Sequence, residues 1–313
     1  MSIVVFGSTN IDVCAYATRL PRPGETVHGD SYAITLGGKG ANQAVAAAQL
    51  GAQVELAGRT GIDTFGTLAR QRLAEKGVRT RALYQDPDHS TGIAVIGVDQ
   101  SAENCITVVG GANMAVERGD VERLEPLLGE AKVLLLQLEI PLDASLAAAR
   151  RFRSRGAVAI LDPAPAPSHG FDAAAWSSVD AMTPNEAETE ALVGIRPKDA
   201  SSAARAATAL AERGLKIAIV KMGGAGVYFR SPEGEGHILT FPVKPIDTVA
   251  AGDCFNGGLA YALARGDELP TALRFACGCG ALATTRRGAS DAAPTLAEVE
   301  TILRCRNGPA LLA

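Results

Sequence analysis

The sequence predicts an α/β fold, a mostly parallel doubly wound sheet covered by helices, and three observations carry that prediction. Short apolar runs recur along the 313 residues, and they are continuous rather than alternating, as strands buried on both faces require. Ala-rich stretches with helical character separate them. A glycine follows five of those stretches, where a left-handed residue commonly ends a helix. Strand and helix therefore alternate, as they do when crossover helices join parallel strands.

In chain order, Ile3–Phe6 is the first buried strand. Residues 12–35 then break the rhythm with an alternating, β-leaning pattern. Ala41–Leu50 reads as a helix ended by Gly51, Val54–Ala57 as a strand, and Leu68–Lys76 as a helix ended by Gly77. Alternation returns at 91–109, where Gly92–Val98 and Asn104–Val109 flank a polar connection at 99–103. The two alternating regions can pair into a small second sheet, which beside an α/β core can act as a lid; an edge hairpin of the main sheet is the alternative. The rhythm resumes with strand Val133–Leu138, helix Ala144–Arg155 before Gly156, and strand Val158–Leu161. Asp162–Pro167 carries a proline at every second position, and its place directly after a strand favours a loop at the carboxyl edge over a domain boundary. Helix Ala200–Arg213 before Gly214, strand Ile217–Val220, helix Phe255–Arg265 before Gly266 and helix Thr271–Thr284 complete the series.

Composition excludes several chemistries. Hydrophobic residues at 47% and charged residues at 20% suit a large buried core and rule out a disordered chain. A net charge of −4 offers no electrostatic footprint for nucleic acid. No apolar run approaches the roughly 18 residues of a membrane span, and Met1–Asn10 has no basic stretch, so a soluble cytoplasmic protein is expected. The six cysteines (14, 105, 254, 277, 279 and 305) form no CxxC pair and read as reduced thiols; Cys277 and Cys279 lack partners to complete a metal site. The four histidines (28, 89, 169 and 237) fall in no HExxH or triad context. Any catalysis is left to carboxylates, lysines or backbone amides.

Two segments carry such chemistry. The first, Asp247-Thr248-Val249-Ala250-Ala251-Gly252-Asp253-Cys254-Phe255-Asn256-Gly257-Gly258, runs into a helix. Its small residues Ala250, Ala251 and Gly252 leave amides free to point into a cavity at a helix start, a setting suited to developing phosphate charge. Asp253 reads equally as an N-cap or as a base for a hydroxyl attacking a phosphoryl group. The second segment, Leu36-Gly37-Gly38-Lys39-Gly40-Ala41-Asn42-Gln43-Ala44, has neither the Walker A nor the GxGxxG spacing. Its glycines allow a ligand close to the backbone while Lys39 and Asn42 add polar groups, yet a tight strand-to-helix turn explains the same residues.

Together, in order and about 200 residues apart, the two segments resemble the signatures of the ribokinase (PfkB-type) family of carbohydrate kinases. The resemblance also takes in Gly7-Ser8-Thr9-Asn10-Ile11-Asp12, Gly110-Gly111-Ala112-Asn113, Gln137-Leu138-Glu139, Thr183-Pro184-Asn185-Glu186-Ala187-Glu188 and Gly223-Gly224-Ala225-Gly226-Val227, so it spans nearly the whole chain. It implies a three-layer α/β/α sandwich forming one domain over 1–313, with a discontinuous β lid at about 12–35 and 91–109. The implied reaction is ATP-dependent phosphorylation of the 5-hydroxyl of D-ribose. Deoxyribose, a ketohexose or a nucleoside are alternative substrates, and a catalytically silent sugar sensor is the alternative of another class.

The resemblance also implies roles. Asn10, Asp12, Gly38, Lys39, Asn42 and Glu139 would hold the sugar, with Asp253 as general base and Ala250, Ala251 and Gly252 as the anion hole. Asn185, Lys221, Gly223, Gly224, Gly226, Gly252 and Cys277 would hold ATP, with Cys254 and Cys279 also on that side, and Glu188 would reach magnesium through water. Lys221 stands where the family often has a small hydroxyl residue, and reads either as an added phosphate contact or as a solvated side chain. Potassium would bind Asp247 by its carboxylate and Val249, Ala283, Arg286 and Gly288 by their carbonyls; Ala292 falls where a hydroxyl is expected, which removes one contact. The lid would pair with that of a second copy to give a homodimer.

Overall fold

The apolar runs become adjacent strands of one sheet. The computed structural model describes residues 2–101, 103–167, 170–304 and 311–312; His169 and Cys305 lie outside them. In chain order the strands are β1 (Ser2–Phe6), β2 (Asn10–Ala17), β3 (Gly29–Gly37), β4 (Gln53–Gly61), β5 (Leu83–Asp86), β6 (Gly92–Val98), β7 (Asn104–Val109), β8 (Val133–Leu136), β9 (Val158–Leu161), β10 (Ala181–Met182), β11 (Ile217–Lys221), β12 (Val227–Ser231), β13 (Gly234–Ile238) and β14 (Leu311–Leu312). The helices are α1 (Lys39–Gln49), α2 (Thr64–Glu75), α3 (Arg118–Glu122), α4 (Leu142–Arg153), α5 (Ala173–Ser178), α6 (Glu186–Val193), α7 (Ala200–Glu212), α8 (Ala251–Arg265), α9 (Leu269–Ala283) and α10 (Leu296–Arg304).

The main sheet has ten strands in the order β14-β13-β12-β11-β10-β9-β8-β1-β4-β5. Every neighbouring pair from β11 to β5 is parallel, and β12 to β14 extend the far edge antiparallel. Continuous apolar strands arise because both faces are covered. Ile3, Val5, Val54, Leu56, Val133 and Leu135 pack with α1, α8 and α9 on one face. Val4, Phe6, Leu134, Leu136 and Val220 pack with α4 and α7 on the other. Strand order reverses beside β1, and the crevice at such a reversal is where open α/β sheets bind ligands.

Residues 12–35 and 91–109 do leave the main sheet. They form a separate four-stranded sheet, β3-β2-β6-β7, in which β2 pairs antiparallel with β3 and parallel with β6. All five glycines expected after helices adopt positive φ, between 80° and 101°. Some boundaries differ from the sequence expectation. Helix α2 begins at Thr64 because Asp63 caps it, accepting from the Gly66 amide, and α8 begins at Ala251 rather than Phe255. Among the described residues, no helix is long and apolar enough to cross a membrane.

Candidate active site

The carboxyl ends of the central strands and the starts of α1, α6 and α8 surround a cavity of about 850 Å³, lined among others by Lys39, Asp162, Glu188, Lys221, Gly252 and Asp253. The start of α8 is shaped by Ala250, whose φ of 57° makes it the one non-glycine residue with positive φ among the described residues. That conformation is strained for an L-residue, and it turns the chain into the helix without a side-chain cap. The Ala251 amide donates to the Thr248 carbonyl and that of Cys254 to the Ala250 carbonyl. Among the described residues no protein group accepts from the Gly252 and Asp253 amides, and both residues line the cavity. Two free N–H groups thus stand at the positive end of a 15-residue helix, an arrangement that can bind an anion. Asp253 is the third residue of α8 and Ala250 its cap, so the N-cap reading of Asp253 does not hold.

Asp253 is 5% exposed. Its two oxygens accept from Asn42 Nδ2 and Gln43 Nε2, each at 3.1 Å. Burial raises its pKa to about 6, against the opposing pull of Lys39. A carboxylate titrating there can take a proton near neutral pH. Burial also works against the charge of Lys39, but Asp253, Asp162, Glu139 and Glu188 outweigh it and lift the ammonium to about 12.

The residues expected around a sugar gather on the β1–β8 side. Asn10 and Asp12 open β2, and burial together with Glu139 lifts Asp12 to about 6. The Asn113 amide donates to Asn10 Oδ1 at 2.7 Å and fixes its orientation. Glu139 accepts from Ser8 Oγ at 2.6 Å and from the Lys39 amide at 2.9 Å, so it closes the start of α1 from another strand's end. Gly38 takes a φ of 86°, and a Cβ there would lie 2.9 Å from the Asn10 nitrogen; glycine is what lets α1 begin so near β2. Asn42 Oδ1 is buried without a partner, an acceptor available to a ligand hydroxyl.

Asn185, Lys221, Gly223, Gly224, Gly226 and Cys277 all line the cavity. Asn185 caps α6 and forms a capping box with Glu188, whose carboxylate accepts from the Asn185 amide. Burial, reinforced by Asp162, raises the Glu188 pKa. Lys221 is not solvated: its side chain is 13% exposed and its ammonium lies 3.0 Å from Asp162. Of the three cysteines expected on this side, Cys277 lines the cavity. Cys254 and Cys279 instead pack in the core with α8 and α9, where Cys279 Sγ would meet a Cβ on Gly258.

The model of the pfkB family carbohydrate kinases matches residues 1–296. The chain belongs to this family. It is 37% identical to a ribokinase of Haemophilus influenzae over 298 residues, covering 95% of this chain and 96% of that protein. It is 33% identical to a deoxyribokinase of Salmonella typhi over 304 residues, covering 97% and 99%. A solved Arabidopsis thaliana ribokinase, complexed with ribose and ATP, shares the fold at a TM-score of 0.89 and 30% identity, over 96% of this chain and 98% of that one.

For this pfkB-family kinase the expected cation residues also come together. Asp247 accepts from the Val249 amide at 3.0 Å and the Gly288 amide at 3.1 Å, and so ties the loop before α8 to the loop after α9. The Arg286 side chain turns away to Glu298. Ala292 is fully buried and offers no hydroxyl, and the nearby Ser290 hydroxyl donates to the Leu36 carbonyl instead. Among the described residues no group of three His, Cys, Asp or Glu side chains could hold a metal by itself. Sequence reasoning missed Asp162 and Gln43. Gln43 donates to Asp162 and Asp253 at once; its place beside Asn42 in the glycine-rich segment was the one available signal.

Proposed function

We propose that the protein phosphorylates the 5-hydroxyl of D-ribose with ATP. The observation that carries this is Asp253, buried at the head of α8 next to two amides without protein partners. On its sugar-facing side are Asn10, Asp12, Gly38, Lys39, Asn42 and Glu139, a set of carboxylate, amide and ammonium groups suited to hydroxyls. On its other side is the 850 Å³ cavity, large enough for a nucleotide. Asp253 takes the proton from the primary hydroxyl as that oxygen attacks, and the amides of Gly252 and Asp253, presented by the Ala250-Ala251 turn, stabilise charge on the transferring phosphoryl. The glycine turn Gly223–Gly226, Asn185 and Lys221 hold the nucleotide, with Cys277 against its base.

Magnesium fits the site as a companion of the phosphates rather than in a cage of protein ligands. Glu188 is a half-buried acid whose pKa is raised by burial and by Asp162, and it would meet the ion through water. The metal supplies neutralisation of phosphate charge. Potassium fits at Asp247, whose carboxylate gathers the loops carrying the carbonyls of Val249, Ala283, Arg286 and Gly288.

The small sheet acts as a lid that excludes water from the phosphoryl, within one domain that spans the chain. It also pairs with the lid of a second copy: β7 is exposed along its length, and Ile106 and Val108 are 53% and 57% exposed. The free thiols Cys14, Cys105, Cys254, Cys277 and Cys279 suit the cytoplasm. Deoxyribose is the second reading, favoured by the deoxyribokinase relative.

ADP release with ribose, deoxyribose, ketohexoses and nucleosides, in potassium and in sodium, tests the reading. Ribose in potassium should turn over fastest. Faster turnover of another sugar redirects the substrate, and no turnover with any of them defeats the kinase reading.

A further inference from the structure

Asp162 reads in the sequence only as the start of a proline-rich loop, yet it lines the cavity at 3% exposure. Its oxygens meet three partners: Oδ2 accepts from Gln43 Nε2 at 3.0 Å, while Oδ1 accepts from Lys221 Nζ at 3.0 Å and, at 3.5 Å, from Thr183 Oγ1. The same Gln43 nitrogen donates to Asp253 Oδ1 at 3.1 Å, while the Gln43 oxygen accepts from Gln137 Nε2 at 2.7 Å. With two carboxylates on its donor side and an amide donor on the other, the Gln43 side chain has one orientation that satisfies all its partners. Lys221 Nζ stands 3.4 Å from where a Cβ on Gly252 would be, beside the unpartnered amides of α8. Asp162 takes one of the three ammonium hydrogens, so the others remain for phosphate oxygens.

We propose that Asp162 is a positioning residue for phosphoryl transfer: through Gln43 it orients Asp253, and through its other oxygen it holds the Lys221 ammonium at the anion-binding amides. The proposal rests on the reading of Asp253 as the base. One carboxylate then sets the places of the proton acceptor and of the cation that meets the phosphoryl, although these lie on α8 and β11. Four charged groups face Asp162: Lys39 from α1, Glu188 from α6, Lys221 from β11 and Asp253 from α8.

The test compares Asp162→Asn and Lys221→Gln with the parent enzyme on ribose and magnesium ATP. Asparagine has one acceptor oxygen and can keep the contact to Gln43 or to Lys221, not both. Its kcat should fall about 10- to 100-fold, as for loss of a hydrogen bond to a charged group, with the sugar KM little changed. Removing the Asp162 charge eases ionisation of Asp253, so the acid limb of kcat/KM should move to lower pH. Lys221→Gln removes the opposite charge; its acid limb should move to higher pH and its KM for ATP should rise. Thermal melts show whether each variant is folded. Folded variants with lower melting temperatures but unchanged kcat and acid limbs would make the pair merely structural and overturn the proposal. If Asp162→Asn does not fold, an unmoved acid limb in Lys221→Gln overturns it alone. Failure of the underlying reading looks different: the parent then does not phosphorylate ribose, or Asp253→Asn stays active.

Discussion

Gly257 of α8 meets Ala46 of α1 so closely that a Cβ on Gly257 would fall 2.6 Å from the Ala46 Cβ, 2.9 Å from the Gln43 carbonyl oxygen and 3.0 Å from the Ala47 nitrogen. Helix backbones that approach this closely cannot admit one added methyl without parting. The hydrogen bonds from Asn42 and Gln43 to Asp253 bridge the same crossing. Gly257→Ala should therefore lower stability by about 1–3 kcal/mol and reduce kcat in the molecules that remain folded. Denaturant unfolding and kinetics on the same preparation check this; a destabilised variant with the parent's kcat would show that the crossing does not hold the site.

Asp253→Asn keeps the shape and most of the hydrogen bonding but removes the proton acceptor. Its kcat should drop about 10²- to 10⁴-fold, while binding of ribose, followed by calorimetry, should change little. Retention of most activity would take the base role from Asp253.

The pH dependence follows from the two raised carboxyls. Asp253 and Asp12 titrate at about 6, so kcat/KM for ribose should be flat above pH 7 and fall as pH drops through 6. The sign for stability is opposite. A carboxyl whose folded pKa is raised disfavours the folded state when ionised, fully above about 6 and not at all below its ordinary value near 4. Asp253→Asn should accordingly unfold at a higher temperature than the parent at pH 8 and lose that advantage by pH 4. A parent whose activity holds down to pH 5 would contradict the raised values.

Arg59 of β4 is 8% exposed and ties buried Asp86 and Asp120 together, with hydrogen bonds of 2.8 Å and 2.9 Å. Removing it leaves buried Asp86 without an arginine and buried Asp120 with only the half-exposed Arg123. Arg59→Met should cost about 3–5 kcal/mol, measured by urea unfolding, and a loss under 1 kcal/mol would show the charges are solvated. None of Arg59, Asp86 and Asp120 lines the cavity, so kcat of the folded fraction should stay close to the parent's.

A charge on the apolar face of β7 should separate a lid-mediated dimer. Ile106→Lys and Val108→Lys, analysed by sedimentation, should shift the protein to monomer without unfolding it. A parent already monomeric at assay concentration would remove the dimer from the proposal.

Much of this architecture is legible in the residues because burial on two faces leaves a plain trace. Val133–Leu138 and Val158–Leu161 can only be continuous if helices cover both sides, and the hairpin at 92–109 announces itself by alternation. The β12–β13 hairpin is harder to see, since its second strand begins Gly234-Glu235-Gly236 and is made by pairing rather than by apolar pattern. The start of α8 is hidden for a different reason: Gly252 is a poor helix former and Ala250, the left-handed cap, has no capping side chain to mark where the helix begins. Asp162 and Gln43 escape notice because neither sits in a diagnostic spacing with the other. They meet because the fold sets β9 beside the start of α1, a relation 119 residues apart in the chain.

Asn10 and Gly37, which pair across the root of the small sheet, stand next to the sugar-side residues, and the free ends of β2 and β3 lie far beyond them. At about 3.3 Å per residue, the eight residues of β2 make an arm of roughly 26 Å. A turn of about 10° at its root therefore carries the tip some 4–5 Å by simple leverage over that strand length. In the proposed lid, whatever occupies the place beside Asn10 and Asp12 would sit at the root of that arm, where a small shift has its largest effect at the tip.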